Sequence, residues 1–455
     1  MKKIEQRAVL CRILALFLGL GLCLFLGKYL LHGGSWASSA FNRHLYNRDG
    51  QLVVGTVLDR DGDVLSEGKD GKRTYYDNAD VRKATLHAVG DLQGNIGTGA
   101  LNAFADRLTG YNLLNGAFGA DVGSDLYLTI DARYNYEAYK ALNGHAGTVA
   151  VYNYKTGEIL CMVSSPTYDP LRVPEDIETN DRYKGAYLNR FLSSAVTPGS
   201  VYKTVTLAAA LEEIPDLETR TWTCPGSVQI GEEVIVCSGT HGEQHIGDAF
   251  ANSCNVAFAE LAQELGAETL KKYTEKAGLT DSYSVSGLPA AKGAFSWDGI
   301  TEGQLGWAGV GQYKDQVNPC ALMVYMGAIA NGGRAAEPYL VKKTVSALGI
   351  PSLPHLTGKT SKLIAADTAE TVADMMADNV ERTYGMKRFP NMDLCAKSGT
   401  AEVGKNEKPH AWFTGFLRNE ETPYAFVVLV ENGGGGSSVA GTVAGRVLNV
   451  MVNGY

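Results

Sequence analysis

Ser200 and Lys203 stand three residues apart, where Pro198-Gly199 gives way to the run TVTLAAALEE, a strong helix pattern. On a helix that spacing puts both side chains on one face, with Cβ atoms about 5–6 Å apart. A serine in a first turn also has an unpaired backbone N–H and the positive end of the helix dipole beside it, and both stabilise an oxyanion. The chemistry implied is attack of a serine oxygen on a carbonyl, with lysine as the base. For Lys203 to take the serine proton its pKa must fall from about 10.4 towards 7. That requires roughly 4 kcal/mol of burial and like-charge pressure, part of which a second lysine nearby can supply.

A Ser-x-x-Lys pair alone is weak. Ser66-Glu67-Gly68-Lys69 repeats it, has a glycine inside and turn signals around it, and is expected to be a surface loop. Two further elements follow Ser200 in order. Ser253-Cys254-Asn255 is the one Ser-x-Asn of the chain and falls between two helical stretches. Ser253 can pass a proton, and Asn255 can hold a substrate amide. Lys397-Ser398-Gly399-Thr400 ends a predicted strand. A lysine and two hydroxyls there can bind a carboxylate, and Gly399 lets a substrate backbone lie against the strand. Lys155-Thr156-Gly157 imitates this third element, but it precedes the nucleophile and fills a predicted hairpin turn.

The elements that must position these residues are legible in outline. Strands are predicted at 148–152 and 158–164, joined by a five-residue link with Gly157, and again at 393–398, 412–417 and 424–431. Between them lies a mostly helical stretch from about 185 to 380. Ser437 is placed to cap a last helix to about Val452. The fold class expected is α+β: an antiparallel five-stranded sheet built from both ends of the chain, with flanking helices and a helical subdomain. Upstream, Gly55 to Leu65 reads as strand, Asp-Gly turn, strand. Leu126 to Ile130 reads as a strand, and Asp131 as the cap of a helix over 132–142.

In this order and setting the three elements resemble those of the penicillin-binding, active-site-serine transpeptidases. Ser164-Ser165-Pro166-Thr167-Tyr168-Asp169-Pro170, Leu188-Asn189-Arg190, Gly309-Val310-Gly311-Gln312, Asn331-Gly332-Gly333 and His410-Ala411-Trp412-Phe413 are similar to segments of that family. Gly55 to Leu65 resembles the strand that opens the non-catalytic module of its monofunctional, class B members. Val54 stands where arginine is common, and Ser398 where threonine is common. The resemblance implies a D,D-transpeptidase that cross-links peptidoglycan stem peptides ending in D-Ala-D-Ala. In it Ser200 is the nucleophile and Lys203 its base, and Ser253 relays a proton under the influence of Lys397. Asn255 holds the substrate amide, Ser398 and Thr400 bind the terminal carboxylate, and the N–H groups of Ser200 and Thr400 form the oxyanion hole. It further implies acylation by β-lactams, a glycan polymerase as membrane partner, and no metal or organic cofactor. A D,D-carboxypeptidase, a β-lactam sensor and a non-catalytic cell-wall scaffold are the rival readings.

Composition bounds the rest. The 455 residues carry 45% apolar and 20% charged side chains, a globular balance, and mean hydropathy is −0.10, too low for a polytopic membrane protein. The net charge of −8 offers no basic face for nucleic acid. It is unevenly placed. Lys2, Lys3, Arg7 and Arg12 against Glu5 give residues 1–12 a net of +3, which leaves −11 on the remainder. An uncharged run from Ile13 to Gly27 follows. The expected organisation is a cytoplasmic tip (1–12), a transmembrane anchor (13–31), a small β-rich non-catalytic module (33–125) and a transpeptidase domain (126–455), with the bulk outside the cytoplasm. A cleaved signal peptide is the alternative. Cys224 and Cys237 bracket a predicted hairpin with Gly231 in its turn, and in an exported domain a disulfide between them is expected. Cys237, His241 and His245 with Cys224 also have zinc-like spacing, a reading ranked below the disulfide.

Overall fold

The computed structural model describes residues 2–37, 45–111, 123–404 and 407–454. Helix α1 (Lys2–Ala37) opens the chain. Its Lys3–Gly34 stretch of 32 residues contains an 18-residue window of mean hydropathy 2.6, none of which is buried. At about 1.5 Å per residue it is long enough, and apolar enough, to cross a bilayer.

Two five-stranded sheets organise the rest, drawn from strands β1 (Thr56–Leu58), β2 (Val64–Lys69), β3 (Lys72–Tyr75), β4 (Asp125–Leu128), β5 (Gly147–Asn153), β6 (Ile159–Ser165), β7 (Val341–Val345), β8 (Leu394–Ala401), β9 (His410–Leu417) and β10 (Tyr424–Val430). The first sheet has the order β7-β4-β1-β2-β3, with β1 and β4 parallel. It takes strands from both sides of the expected 125/126 boundary. Arg73 on β3 is buried and donates to the carbonyls of Leu52, Val54 and Gly55 and to Ser66 Oγ. An arginine thus does serve this module, reaching in from β3 while Val54 contributes its carbonyl. Ser66-Glu67-Gly68-Lys69 lies on β2 rather than in the expected loop. Ser66 is buried and Lys69 exposed, because residues three apart on a strand point to opposite faces.

The second sheet, of order β8-β9-β10-β5-β6, is antiparallel throughout and built from both ends of the chain, as expected. Its strands are buried on both faces. Val149, Val151, Phe413, Phe426 and Val428 belong to one core, which includes residues of α3 (Ala132–Leu142) and of a C-terminal helix, Gly441–Asn453. Ala150, Tyr152, Trp412, Val427 and Leu429 belong to the other. That core includes α4 (Lys203–Glu213), α5 (Asn255–Lys276, kinked at Gly266) and α6 (Pro319–Ala330). Asp131 caps α3 as predicted, accepting from the N–H groups of Arg133 and Tyr134. Lys155-Thr156-Gly157 fills the β5–β6 turn as predicted, held by Asn153 Oδ1. Ser437 does not cap the last helix. Residues 436–440 form a π turn, and Ser437 instead accepts from Arg388.

The segment expected to be mostly helical also contains strands. Ser227–Ile230 and Glu233–Val236 form the predicted hairpin, with Gly231 in its turn. Thr221–Cys224 pairs with Gly242–His245 beside it.

Phe413, on β9 between β8 and β10, is fully buried. It stacks on Phe389 at 5.8 Å and meets Tyr384 edge-on at 5.1 Å. Phe413→Ala is expected to cost about 3–5 kcal/mol and Phe413→Leu markedly less, read as shifts in the urea midpoint of the full chain.

Candidate active site

Ser200 sits in a 3-10 turn, Gly199–Val201, that runs directly into α4. Gly199 has φ +56 and donates its N–H to Gly311 O at 2.8 Å. A Cβ at 199 would stand 2.7 Å from the Thr400 carbonyl, so the turn lies directly against β8 and requires glycine. Gly399, on β8, serves the same approach. A Cβ there would stand 2.9 Å from Pro198 O. The backbone it accommodates in this structure is that of the serine's own turn.

Three segments far apart in sequence meet here. Ser200, Ser253, Asn255, Ser398 and Thr400 line one cleft of about 430 Å3. Lys203 and Lys397 lie beneath it, both fully buried. Lys203 Nζ donates to Ser253 O at 2.6 Å and to Asn255 Oδ1 at 2.7 Å, and lies 3.4 Å from Ser253 Oγ. Lys397 Nζ donates to Ser253 Oγ at 2.9 Å and to Ser398 O at 3.0 Å. The Ser253 hydroxyl therefore stands between two buried amines. Ser253 itself has φ +53, a left-handed conformation rare outside glycine. It occupies the corner between helix Ile246–Ala251 and α5, where its N–H bonds Phe250 O.

Burial pushes Lys203 down to about 7. Lys397 is also held below its ordinary value, by burial first and by the charge of Lys203 second. A neutral amine has two N–H bonds and one lone pair. With Ser253 O and Asn255 Oδ1 accepting both hydrogens, the lone pair of Lys203 is left for an incoming proton.

Asn255 is more engaged than its expected substrate role requires. Besides accepting from Lys203, its Nδ2 donates to Val236 O at 2.8 Å. On the far wall the Ser398 N–H donates to Tyr384 Oη at 2.9 Å, and Tyr384 Oη lies 3.1 Å from Ser398 Oγ. Tyr384 comes from a π turn after helix Ala366–Asn379, and nothing local in the sequence marks it. Gln312 Nε2 approaches Thr400 O at 3.4 Å, and Gly436 N–H donates to Thr400 Oγ1 at 3.2 Å. Gly436 was likewise missed, because its part here depends on a chain crossing.

The expected Cys224–Cys237 bridge is absent. All eight cysteines are free, and Cys237 Sγ lies 3.9 Å from Cys254 Sγ. A disulfide needs about 2.05 Å. The hairpin brings Cys237 not to Cys224 alone but to a group of side chains that includes Cys254.

Fold and cleft together define an α+β domain with a serine at a helix start, two buried lysines and a strand-borne hydroxyl wall. Residues 147–449 match the family model for the penicillin binding protein transpeptidase domain, and the chain belongs to that family. The peptidoglycan D,D-transpeptidase PbpA of Mycolicibacterium smegmatis is 29% identical over 370 residues, 75% of this chain and 74% of that protein. Stage V sporulation protein D of Bacillus subtilis is 29% identical over 350 residues, 72% of this chain and 53% of that protein. Among solved structures, the penicillin G acyl-enzyme complex of penicillin-binding protein A from Mycobacterium tuberculosis has a TM-score of 0.74 at 24% identity. It covers 88% of this chain and 99% of that one. At that identity the likeness concerns the fold.

Tyr384→Phe leaves the half-buried Ser398 N–H without its acceptor. We expect a loss of about 1–3 kcal/mol in stability. Acylation by a labelled penicillin should slow about tenfold if 1.4 kcal/mol of that loss falls on the reacting geometry, measured by stopped-flow.

Proposed function

We propose that this chain is a class B-like peptidoglycan D,D-transpeptidase acting through an acyl-enzyme on Ser200, and a target of β-lactams. The observation that carries this reading is the placement of Ser253 Oγ between Lys203 and Lys397 in the cleft that Ser200 lines. The likeness to the peptidoglycan D,D-transpeptidase PbpA supports it.

In this mechanism neutral Lys203 accepts the Ser200 hydroxyl proton as Oγ attacks the penultimate carbonyl of a stem peptide ending in D-Ala-D-Ala. The oxyanion is held by the backbone N–H groups of Ser200 and Thr400. The proton passes through Ser253 to the leaving D-Ala amine, with Lys397 keeping that hydroxyl polarised. Asn255 holds the substrate amide, and Ser398 and Thr400 hold the terminal carboxylate. An amine of a neighbouring stem then attacks the ester, forms the cross-link and frees Ser200. Helix α1 anchors the domain in the cell membrane, with residues 1–12 in the cytoplasm and the cleft outside. A membrane glycan polymerase supplies the nascent strand. By this reading the chain from about 33 to 125 is a non-catalytic module and 126–455 the transpeptidase domain.

A labelled penicillin should modify wild type on Ser200, and Ser200→Ala should not label. Equal labelling of the two would overturn the assignment. With a stem-peptide donor and an acceptor amine, a cross-linked dimer should form, and release of free D-Ala without dimer would favour a carboxypeptidase.

Because the base acts when neutral, acylation should fall about tenfold per pH unit below about 7 and level off above it. Lys203→Arg should lower it about 10²–10⁴-fold at every pH, since arginine stays charged. Both are measured as second-order acylation rates.

A further inference from the structure

Three thiols and one imidazole converge behind the Ser253-Cys254-Asn255 corner. Cys224 ends the strand Thr221–Cys224, and Cys237 follows the hairpin strand Glu233–Val236. His241 precedes the strand Gly242–His245, and Cys254 caps the N-terminus of α5. Their Sγ and Nδ1 or Nε2 atoms all lie within 4.8 Å of one another. Cys237 Sγ is 3.5 Å from His241 Nδ1 and 3.9 Å from Cys254 Sγ. Zinc–sulfur bonds of about 2.3 Å and a zinc–nitrogen bond of about 2.0–2.1 Å, set tetrahedrally, give edges of about 3.8 Å between sulfurs and about 3.6 Å between sulfur and nitrogen. The two observed separations match those edges without rearrangement.

We propose that Cys224, Cys237, His241 and Cys254 bind one zinc ion. The set differs from the one that spacing suggested. His245 turns away, with its Nδ1 3.0 Å from Arg220 O, and Cys254 takes its place. Two sulfurs already accept backbone N–H groups, Cys237 from Asn255 at 3.2 Å and Cys254 from Ala257 at 3.5 Å. Such donors stabilise thiolate ligands. Three soft sulfurs and an imidazole select zinc over calcium or magnesium. Binding forms three Zn–S bonds and one Zn–N bond, releases three thiol protons to solvent and leaves one net negative charge. With four protein ligands the site is closed and therefore structural. Its position gives it a purpose: Cys254 lies between Ser253 and Asn255, while Cys237 lines the cleft wall. The ion would tie that wall to the corner whose backbone Ser253 holds at positive φ. The metal site stands on its own geometry and does not depend on the transpeptidase reading.

The test uses the full chain purified in detergent without chelator, offered zinc and freed of excess by gel filtration. Elemental analysis should give about one zinc per chain. Cobalt(II) in place of zinc should give the intense visible absorption of a tetrahedral thiolate site. Cys224→Ser combined with His241→Ala should reduce bound zinc at least about tenfold, and His245→Ala should retain it. Less than about 0.1 zinc per wild-type chain, an octahedral cobalt spectrum, or loss of the metal in His245→Ala would overturn the proposal. So would intact mass and peptide mapping that find a Cys224–Cys237 disulfide in the native protein. Wild-type metal content and the cobalt spectrum decide the matter even if the double variant fails to fold.

Discussion

Two lysine amines, both stripped of water, share one serine hydroxyl, and most of the structure around them exists to make that tolerable. An isolated buried ammonium is too costly for a domain to carry. Here each Nζ finds a carbonyl, Ser253 O for Lys203 and Ser398 O for Lys397, and both reach Ser253 Oγ. Those acceptors come from a corner between helices and from a sheet strand. The pair therefore exists only when the helical layer is docked on the sheet. Burial then lowers both pKa values, and the charge of Lys203 lowers that of Lys397 further, so that the constraint that costs stability also prepares the base.

The same docking explains features that would otherwise look incidental. The second sheet is apolar on both faces because helices cover both, and its edge strand β8 carries Ser398 and Thr400 from that core into the cleft. The turn at Gly199 presses against β8 so closely that neither Gly199 nor Gly399 has room for a side chain. Tyr384 fixes Ser398 from behind, and Phe413 fixes Tyr384. Further out, Arg82 on α2 (Ala79–Val89) grips Asp169 with two bonds of 2.8 and 2.6 Å, and so ties the upstream region to the segment that follows β6.

The three chemical elements were readable because each combines residue type with an unambiguous local setting: a helix start, a corner between helices, a strand end. The decoys failed for local reasons too, although Ser66 and Lys69 proved to lie on a strand, where alternation separates them, and not in a loop. Local signals did not reveal Tyr384, which acts from a π turn, or Gly436, which meets Thr400 only where the chain crosses back over β8. Ser437 looked like a helix cap because serine before an apolar run usually is one, but Arg388 claims it first.

What the sequence determined by itself was the chemistry on offer: a serine with a lysine three residues on, a Ser-x-Asn and a Lys-Ser-Gly-Thr, the α+β order of elements, and an apolar N-terminal helix. These are properties of residue type and of neighbours within a few positions. Tertiary structure alone decided which groups touch. It set Ser253 Oγ between two lysines that lie 194 positions apart, at 203 and 397, and put Cys254 rather than His245 beside Cys237. Contact across such distances depends on how sheets and helices close over a common core, and no local spacing encodes that closure.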